Sequence, residues 1–121
     1  MREVQFEKFG ALHEAARVQA KEPGAGGAPT FYRIEIGGTD ERPLYVHTVE
    51  FQDRNPADAI TGLSNEILIA VLIDRMQGFQ NGPGKCRENA IALTHLEEAL
   101  LWLQKRTRER LSRGVEGTTA A

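Results

Sequence analysis

The residues most able to do chemistry are clustered in the basic run "QKRTRERLSRG" at 104–114. Its cations are Lys105, Arg106, Arg108, Arg110 and Arg113, opposed only by Glu109. Arg106 and Arg110 are four residues apart, so on a helix they share one face, where guanidinium groups can bind phosphate oxygens in pairs. Cations also complement the dipole at a helix C-terminus, but this explains one or two of them rather than five. The run therefore predicts a local anion site.

The charge of the whole chain limits what that site can be. The 121 residues carry a formal net charge of −2 and a sequence pI near 5.9, so we expect no DNA or RNA partner. The N-terminus lacks the apolar core of a secretory leader, and no apolar run has the length of a membrane span. Cys86 is the single cysteine, which excludes an internal disulfide and a cysteine-based zinc cluster and is typical of a helix start. These features predict a cytoplasmic protein without a membrane partner.

The first half of the chain has the pattern of an antiparallel sheet. Segments 30–36 and 44–51 are rich in β-branched and aromatic residues with partial alternation. Segment 2–9 reads as a first strand. Segment 14–21 could be a strand or one end of a short helix, and we predict a strand there. We expect about four strands joined by local turns, including one at 37–43, within a strand region covering 1–60.

The second half changes to helical spacing. Ser64 is a natural N-cap for a helix that runs to about Gln80, and "NGPG" at 81–84 breaks the chain. A second helix is predicted from about Cys86 to about Arg113, where Gly114 ends it. The fold class is therefore α+β, with the sheet followed by an antiparallel two-helix hairpin over 61–121 and one compact domain overall.

The hairpin is predicted to expose unusual amounts of apolar surface. The first helix is apolar on all sides between Ile67 and Ile73, and the second has one stripe formed by Leu93, Leu96, Leu100 and Leu103. Ile91 and Trp102 lie off that stripe. We expect a homodimer or a higher assembly, although one face on the sheet and one on the hairpin would also cover this surface. The first helix is predicted to have about 17 residues and the second about 28. The second helix should therefore extend past the first from near Leu103 onward.

The residues give little support for catalysis. No P-loop, nucleophile elbow, GxGxxG or HExxH motif is present, and His13, His47 and His95 are scattered among different elements. Glu97 and Glu98 are adjacent on a helix and point about 100° apart, so they cannot form a carboxylate pair. We expect a protein that is not an enzyme and has no cofactor or metal.

The predicted turn supplies a second group of binding residues. Phe79 closes the first helix and Asn89 opens the second, which places an aromatic ring near an amide, a combination suited to a nucleotide base. Asn89 and Arg106 lie about 25 Å apart along one helix, so one chain cannot bring both to a small ligand. Two hairpins related by a two-fold axis could do so, with two identical sites.

Four motifs resemble those of a known family. They are GxxNE at the first helix, FQxGP at the turn, LEEALxWLxxRTxxR in the second helix and RGVEGT at the end. Over about residues 62–118 the chain resembles the helical-hairpin domain of small bacteriophage proteins that counter bacterial signalling immunity. The strand-rich first half is similar to the anti-Thoeris branch rather than to the all-helical anti-CBASS branch.

The resemblance implies a sponge, which binds cyclic ADP-ribose isomers made by TIR-domain enzymes without degrading them. It further implies that Phe79 stacks on the adenine, Asn89 bonds the nucleotide, and Arg106 and Arg110 take the phosphates. Some relatives form hexamers that hold cyclic di- and trinucleotides at separate sites, for which Arg54 is a weaker candidate. Two other functions stay open, namely an oligomeric interaction module without a nucleotide ligand and a phosphodiesterase-like enzyme.

Overall fold

Residues Met1–Gly62 form a four-stranded antiparallel sheet in the computed structural model. The strands lie side by side in chain order. They are β1 (Arg2–Glu3), β2 (Ala16–Ala20), β3 (Phe31–Thr39) and β4 (Arg42–Glu50). The structure describes residues 1–39, 42–115 and 118. Residues 40 and 41 of the predicted 37–43 turn, and residues 116 and 117 of the RGVEGT motif, lie outside the described residues. The predicted four-stranded meander is confirmed.

The first strand and the segment after it differ from the sequence prediction. β1 spans two residues rather than 2–9, and a short helix, α1 (Gly10–Ala15), precedes β2. After Val4 donates its N–H to the Val18 carbonyl, at 2.9 Å, the chain leaves the sheet. Lys8 Nζ then donates to the Ala16 carbonyl at 2.8 Å, which ties the departing segment to the start of β2. The strand predicted over 14–21 is confirmed for β2, and the residues before it are helical.

Residues Leu63–Ala121 contain the predicted helical hairpin, formed by α2 (Asn65–Gln80) and α3 (Arg87–Ser112). Ser64 caps α2 because its hydroxyl accepts the Ile67 N–H at 3.1 Å. Cys86 caps α3 in the same way, since its Sγ accepts the Asn89 N–H at 3.4 Å. Both helices therefore begin within one residue of the predicted positions, and Cys86 has the helix-start role that its place in the sequence indicated.

The C-terminus of α3 is closed by backbone hydrogen bonds. Gly114 adopts a φ of 70°, a left-handed conformation that glycine takes without a steric penalty. Its N–H donates to the Leu111 carbonyl at 3.1 Å, and the Val115 N–H donates to the Arg110 carbonyl at 3.0 Å. This pair of bonds is a Schellman motif, so the predicted end at Gly114 is confirmed.

The overhang of α3 is shorter than the sequence predicts. Thr107 Oγ1 donates to Glu66 Oε2 at 2.9 Å, and Glu66 lies in the first turn of α2. The two helices therefore run side by side as far as Thr107, and only the last turn or so of α3 extends past α2. The expected start near Leu103 is therefore too early, because α3 still contacts α2 at Thr107.

Neither helix of the hairpin has an apolar core residue. α2 has no buried residue, and the only buried residue of α3 is Arg110. The predicted stripe is half-buried, and it faces α2 because Leu100 and Leu103 share a helix face with Thr107. On the opposite face, Ile91 is 41% exposed and Trp102 is 64% exposed. Among the described residues the only buried apolar side chains are Ala16 and Ala20, both in the sheet unit.

The side chain of Gln52 in the sheet unit bonds to both ends of the loop that carries Arg54. Gln52 Nε2 donates to the carbonyls of Arg54 and Ala59 at 3.0 and 2.7 Å. Its Oε1 accepts the N–H groups of Thr61 and Gly62 at 2.7 and 3.2 Å. The half-buried amide thus makes all four of the hydrogen bonds that its two ends can readily form, and it fixes both ends of the 53–62 loop.

We expect Gln52→Glu to destabilise the sheet unit by about 2 kcal/mol, because a carboxylate cannot donate to the two carbonyls and repels them. Urea unfolding followed by circular dichroism measures the change. Gln5→Glu is the matched control, since Gln5 is exposed and makes no side-chain hydrogen bond with a described residue. Equal unfolding midpoints for the two variants would show that the Gln52 amide does not hold the loop.

Candidate functional site

Phe79 and Asn89 meet at the turn of the hairpin, on either side of Gly84. A Cβ added at Gly84 would stand 3.0 Å from Cδ1 of Phe79, so the glycine allows the loop to lie close against the ring. Asn89 Nδ2 donates to the Gly84 carbonyl at 3.1 Å. Because 38% of Phe79 is exposed, part of the ring can be reached from solvent. The structure thus brings together the aromatic ring and the amide that the sequence indicated.

The orientation of the Asn89 amide follows from its partner. A carbonyl can only accept, so the group nearest Gly84 must be the NH₂ of Asn89. The other end of the amide, Oδ1, has no hydrogen-bond partner among the residues that the structure describes. A half-buried acceptor is therefore available beside the ring, which suits the exocyclic amino group of adenine.

Arg75 is a residue at this turn that the sequence reasoning missed. Its guanidinium carbon lies 5.0 Å from the centroid of the Phe79 ring, within the range of a cation–π interaction. Arg75 precedes Phe79 by four residues on α2, and this i, i+4 spacing was the signal that could have found it. The ring therefore has a positive charge over it, which favours an anionic ligand at the turn.

At the other end of α3 the basic cluster is partly neutralised. Lys105 Nζ and Glu109 Oε1 form an i, i+4 ion pair at 2.6 Å. The hydrogen bond from Lys105 and its charge, followed by the charges of Arg113 and Arg108, lower the pKa of the Glu109 carboxyl below its usual value. The negatively charged Glu109 therefore compensates one of the five cations.

Arg106 and Arg110 share a helix face but have different surroundings. Arg106 is exposed and has no hydrogen bond or ion pair with any residue that the structure describes. Arg110 is only 3% exposed, and its Nη2 donates to the carbonyls of Val115 and Thr118 at 3.0 and 2.9 Å. Arg106 is therefore available to an external anion, whereas Arg110 holds the chain that follows α3.

A shallow groove lies beside this cluster, between the start of α2 and the last turns of α3. It encloses about 430 Å³ and is lined by Glu66, Leu101, Gln104, Thr107 and Arg108. Arg108 is exposed along this groove, but it lies two residues from Arg106 and so points about 200° away from it around the helix. The groove itself is a poor anion site, because the carboxylate of Glu66 lies in its wall together with Arg108.

The remaining candidate, Arg54, lies on the surface of the sheet unit. Its backbone carbonyl accepts from Gln52, and its side chain is exposed. Among the described residues no group of three or more histidine, cysteine, aspartate or glutamate side chains could hold a metal ion. Within the same residues, no helix has the length and hydropathy needed to cross a membrane.

The two ends of the hairpin cannot meet at one small ligand within a single chain. Asn89 and Arg106 lie on the same uninterrupted helix, α3, and the rise of that helix separates them by about 25 Å. The turn offers a ring and an amide, and the far end offers a free guanidinium. A ligand that uses both ends therefore needs residues from two chains.

Comparison with known proteins places this hairpin in a family. The Acb2/Tad1 hairpin domain matches residues 46–108, which begins earlier than the resemblance over 62–118 and stops sooner. This range includes Arg54, Phe79, Asn89 and Arg106, while Arg110 falls outside it. A protein of Bacillus phage SBSphiJ7 described as Thoeris anti-defense 1 is 65% identical over 57 residues.

That similarity covers 47% of this chain and 40% of the phage protein, so the two chains match over less than half of either. The family match, by contrast, extends over more than half of the 121 residues. The chain therefore belongs to the Acb2/Tad1 hairpin-domain family, which includes the anti-Thoeris proteins.

Proposed function

We propose that this phage protein binds cyclic nucleotide immune signals in the cytoplasm of the infected cell and keeps them from their effector. The ligands are cyclic ADP-ribose isomers made by TIR-domain enzymes. The observation that carries the proposal is that groups suited to a nucleotide lie at the two ends of the hairpin. Phe79 and Asn89 at the turn suit a base, and the accessible Arg106 suits a phosphate.

In the proposed site these groups come from two copies of the chain. A hairpin without a buried apolar residue favours self-association, because a partner hairpin would remove its apolar surface from water. When two hairpins pack antiparallel about a two-fold axis, Arg106 of each copy reaches the turn of the other, which gives two equal sites. A hexamer built from such dimers would create further interfaces, and there Arg54 is the candidate for binding cyclic di- or trinucleotides.

Sequestration needs tight binding rather than chemistry. A nanomolar dissociation constant corresponds to about −12 kcal/mol, which stacking and charge-assisted bonds to phosphate can supply for a rigid ligand that loses little entropy. The described site residues are a phenylalanine, an asparagine and arginines, and none of these side-chain types commonly serves as a general base. We therefore propose that the bound ligand leaves the protein unchanged.

The first test is to identify what the protein holds. Purified protein is mixed with cyclic ADP-ribose isomers and with cyclic dinucleotides, freed of unbound ligand and denatured by heat, and the supernatant is analysed by chromatography and mass spectrometry. Recovery of intact ligand supports the sponge. Recovery of a linear or hydrolysed product would instead show an enzyme, and recovery of nothing would favour an oligomeric interaction module.

Arg106→Ala and Arg110→Ala separate ligand binding from stability. We expect Arg106→Ala to weaken binding at least about tenfold while the free energy of unfolding changes by less than about 0.5 kcal/mol, because Arg106 is exposed and makes no internal bond. Arg110→Ala should lower the free energy of unfolding by about 2 kcal/mol, since it deletes a buried, hydrogen-bonded guanidinium. Calorimetric titration and thermal unfolding measure the two quantities. Full binding by Arg106→Ala would remove this residue from the site.

Co-expression of two inactive variants tests whether the site is shared. Phe79→Ala and Arg106→Ala, each expressed alone, should retain little ligand once unbound ligand is removed. In mixed dimers the Phe79 of one copy and the Arg106 of the other form one intact site, so a random mixture should regain about a quarter of the wild-type sites.

The stoichiometry of released ligand measures this recovery, with each variant expressed alone as the control. If the two residues served one ligand within the same chain, no mixture could restore a site. Zero recovery from a mixture whose heterodimers are shown by mass spectrometry would therefore rule out the two-copy arrangement.

A further inference from the structure

Trp102 is a large exposed side chain that the proposed site has not used. Its indole is 64% exposed and projects from the face of α3 opposite the stripe that packs on α2. Arg106 follows it by four residues, so the two side chains are neighbours on this face, about 6 Å apart along the axis. An aromatic ring beside an accessible guanidinium is the pairing that binds a base and its phosphate together.

We infer that Trp102 is a second aromatic wall of the nucleotide site, so that the adenine lies between Trp102 of one copy and Phe79 of the partner subunit. The inference rests on the proposed function, because it needs the two-copy site. It names an additional residue that binds the base, and it predicts a ring on both faces of the base.

The geometry of α3 is consistent with this arrangement. The two-fold packing that carries Arg106 to the turn of the partner subunit must also carry Trp102 to within about one helical turn of it. A nucleotide spans a comparable distance between its base and its phosphate. The base would thus reach the indole when the phosphate reaches Arg106.

Two charged side chains flank the indole on this face, Glu98 one turn before it and Arg106 one turn after it. Lys105 is engaged with Glu109, which leaves Arg106 as the cation nearest Trp102 without a bond to a described residue. At the turn, Arg75 lies against Phe79 at 5.0 Å and adds positive charge on the other side of the base. Stacking against aromatic rings and cation–π contacts then act on the same ligand.

The chain provides its own reporter, because Trp102 is its only tryptophan. We expect titration with cyclic ADP-ribose isomers to quench the tryptophan emission in proportion to site occupancy. Inorganic pyrophosphate, which has no base, should compete for Arg106 without producing the same quenching. Light scattering during the titration shows whether the oligomeric state stays constant, so that a change in assembly is not read as stacking.

Substitutions give the second measurement. Trp102→Ala should weaken binding about tenfold to a hundredfold, whereas Trp102→Phe, which keeps a ring, should stay within about tenfold of the wild type. Leu101→Ala is the matched control, because Leu101 is 65% exposed and adjacent but points about 100° away around the helix. It should bind as the wild type does.

The outcomes separate the inference from the proposed function. Intact ligand recovered from wild-type protein, with unchanged emission and full binding by Trp102→Ala, overturns the role of Trp102 and leaves the sponge standing. Loss of assembly in Trp102→Ala, with no quenching in the wild type, identifies the indole as a subunit contact only and also overturns it. Failure of the wild type to bind any cyclic nucleotide overturns both.

Discussion

The hairpin depends on one physical constraint, which is that two helices cannot bury an apolar surface extending around both of them. One stripe of α3 packs against α2, and this contact leaves Ile67, Val71 and Trp102 exposed. Transfer of such side chains out of water is worth about 25 cal/mol per Å², so a second copy would gain substantially by covering them. Assembly and ligand binding are therefore linked in the proposed function, because the surface that needs a partner adjoins the groups that need a ligand.

The length of α3 accounts for the separation between the two groups of candidate binding residues. The start of α3, with the Asn89 amide, lies beside the Phe79 ring at the end of α2, and the guanidinium groups lie at the far end of α3. In a single chain this separation would be an obstacle to binding a small ligand. In a two-fold assembly it becomes the means of building two sites, because each end of one α3 lies beside the opposite end of its neighbour.

The basic cluster has several separate roles in the structure. Lys105 is paired with Glu109, Arg110 holds the chain after α3 through two carbonyls, and Arg106 is left accessible. These roles differ although the residues follow one another within two turns. A buried guanidinium that satisfies backbone carbonyls contributes to the position of its neighbours rather than to the ligand, and this distinction cannot be read from i, i+4 spacing.

Sequence by itself determined the elements whose signals are local. Ser64, Cys86 and Gly114 fixed the helix ends because caps and left-handed residues act within a few positions, and alternation located β3 and β4. Only the tertiary structure decided the features that depend on distant partners. The extent of β1, the level at which Thr107 meets Glu66 and the burial of Arg110 all depend on which groups the fold brings together. Spacing along the chain specifies a face of an element, and it does not specify what that face will touch.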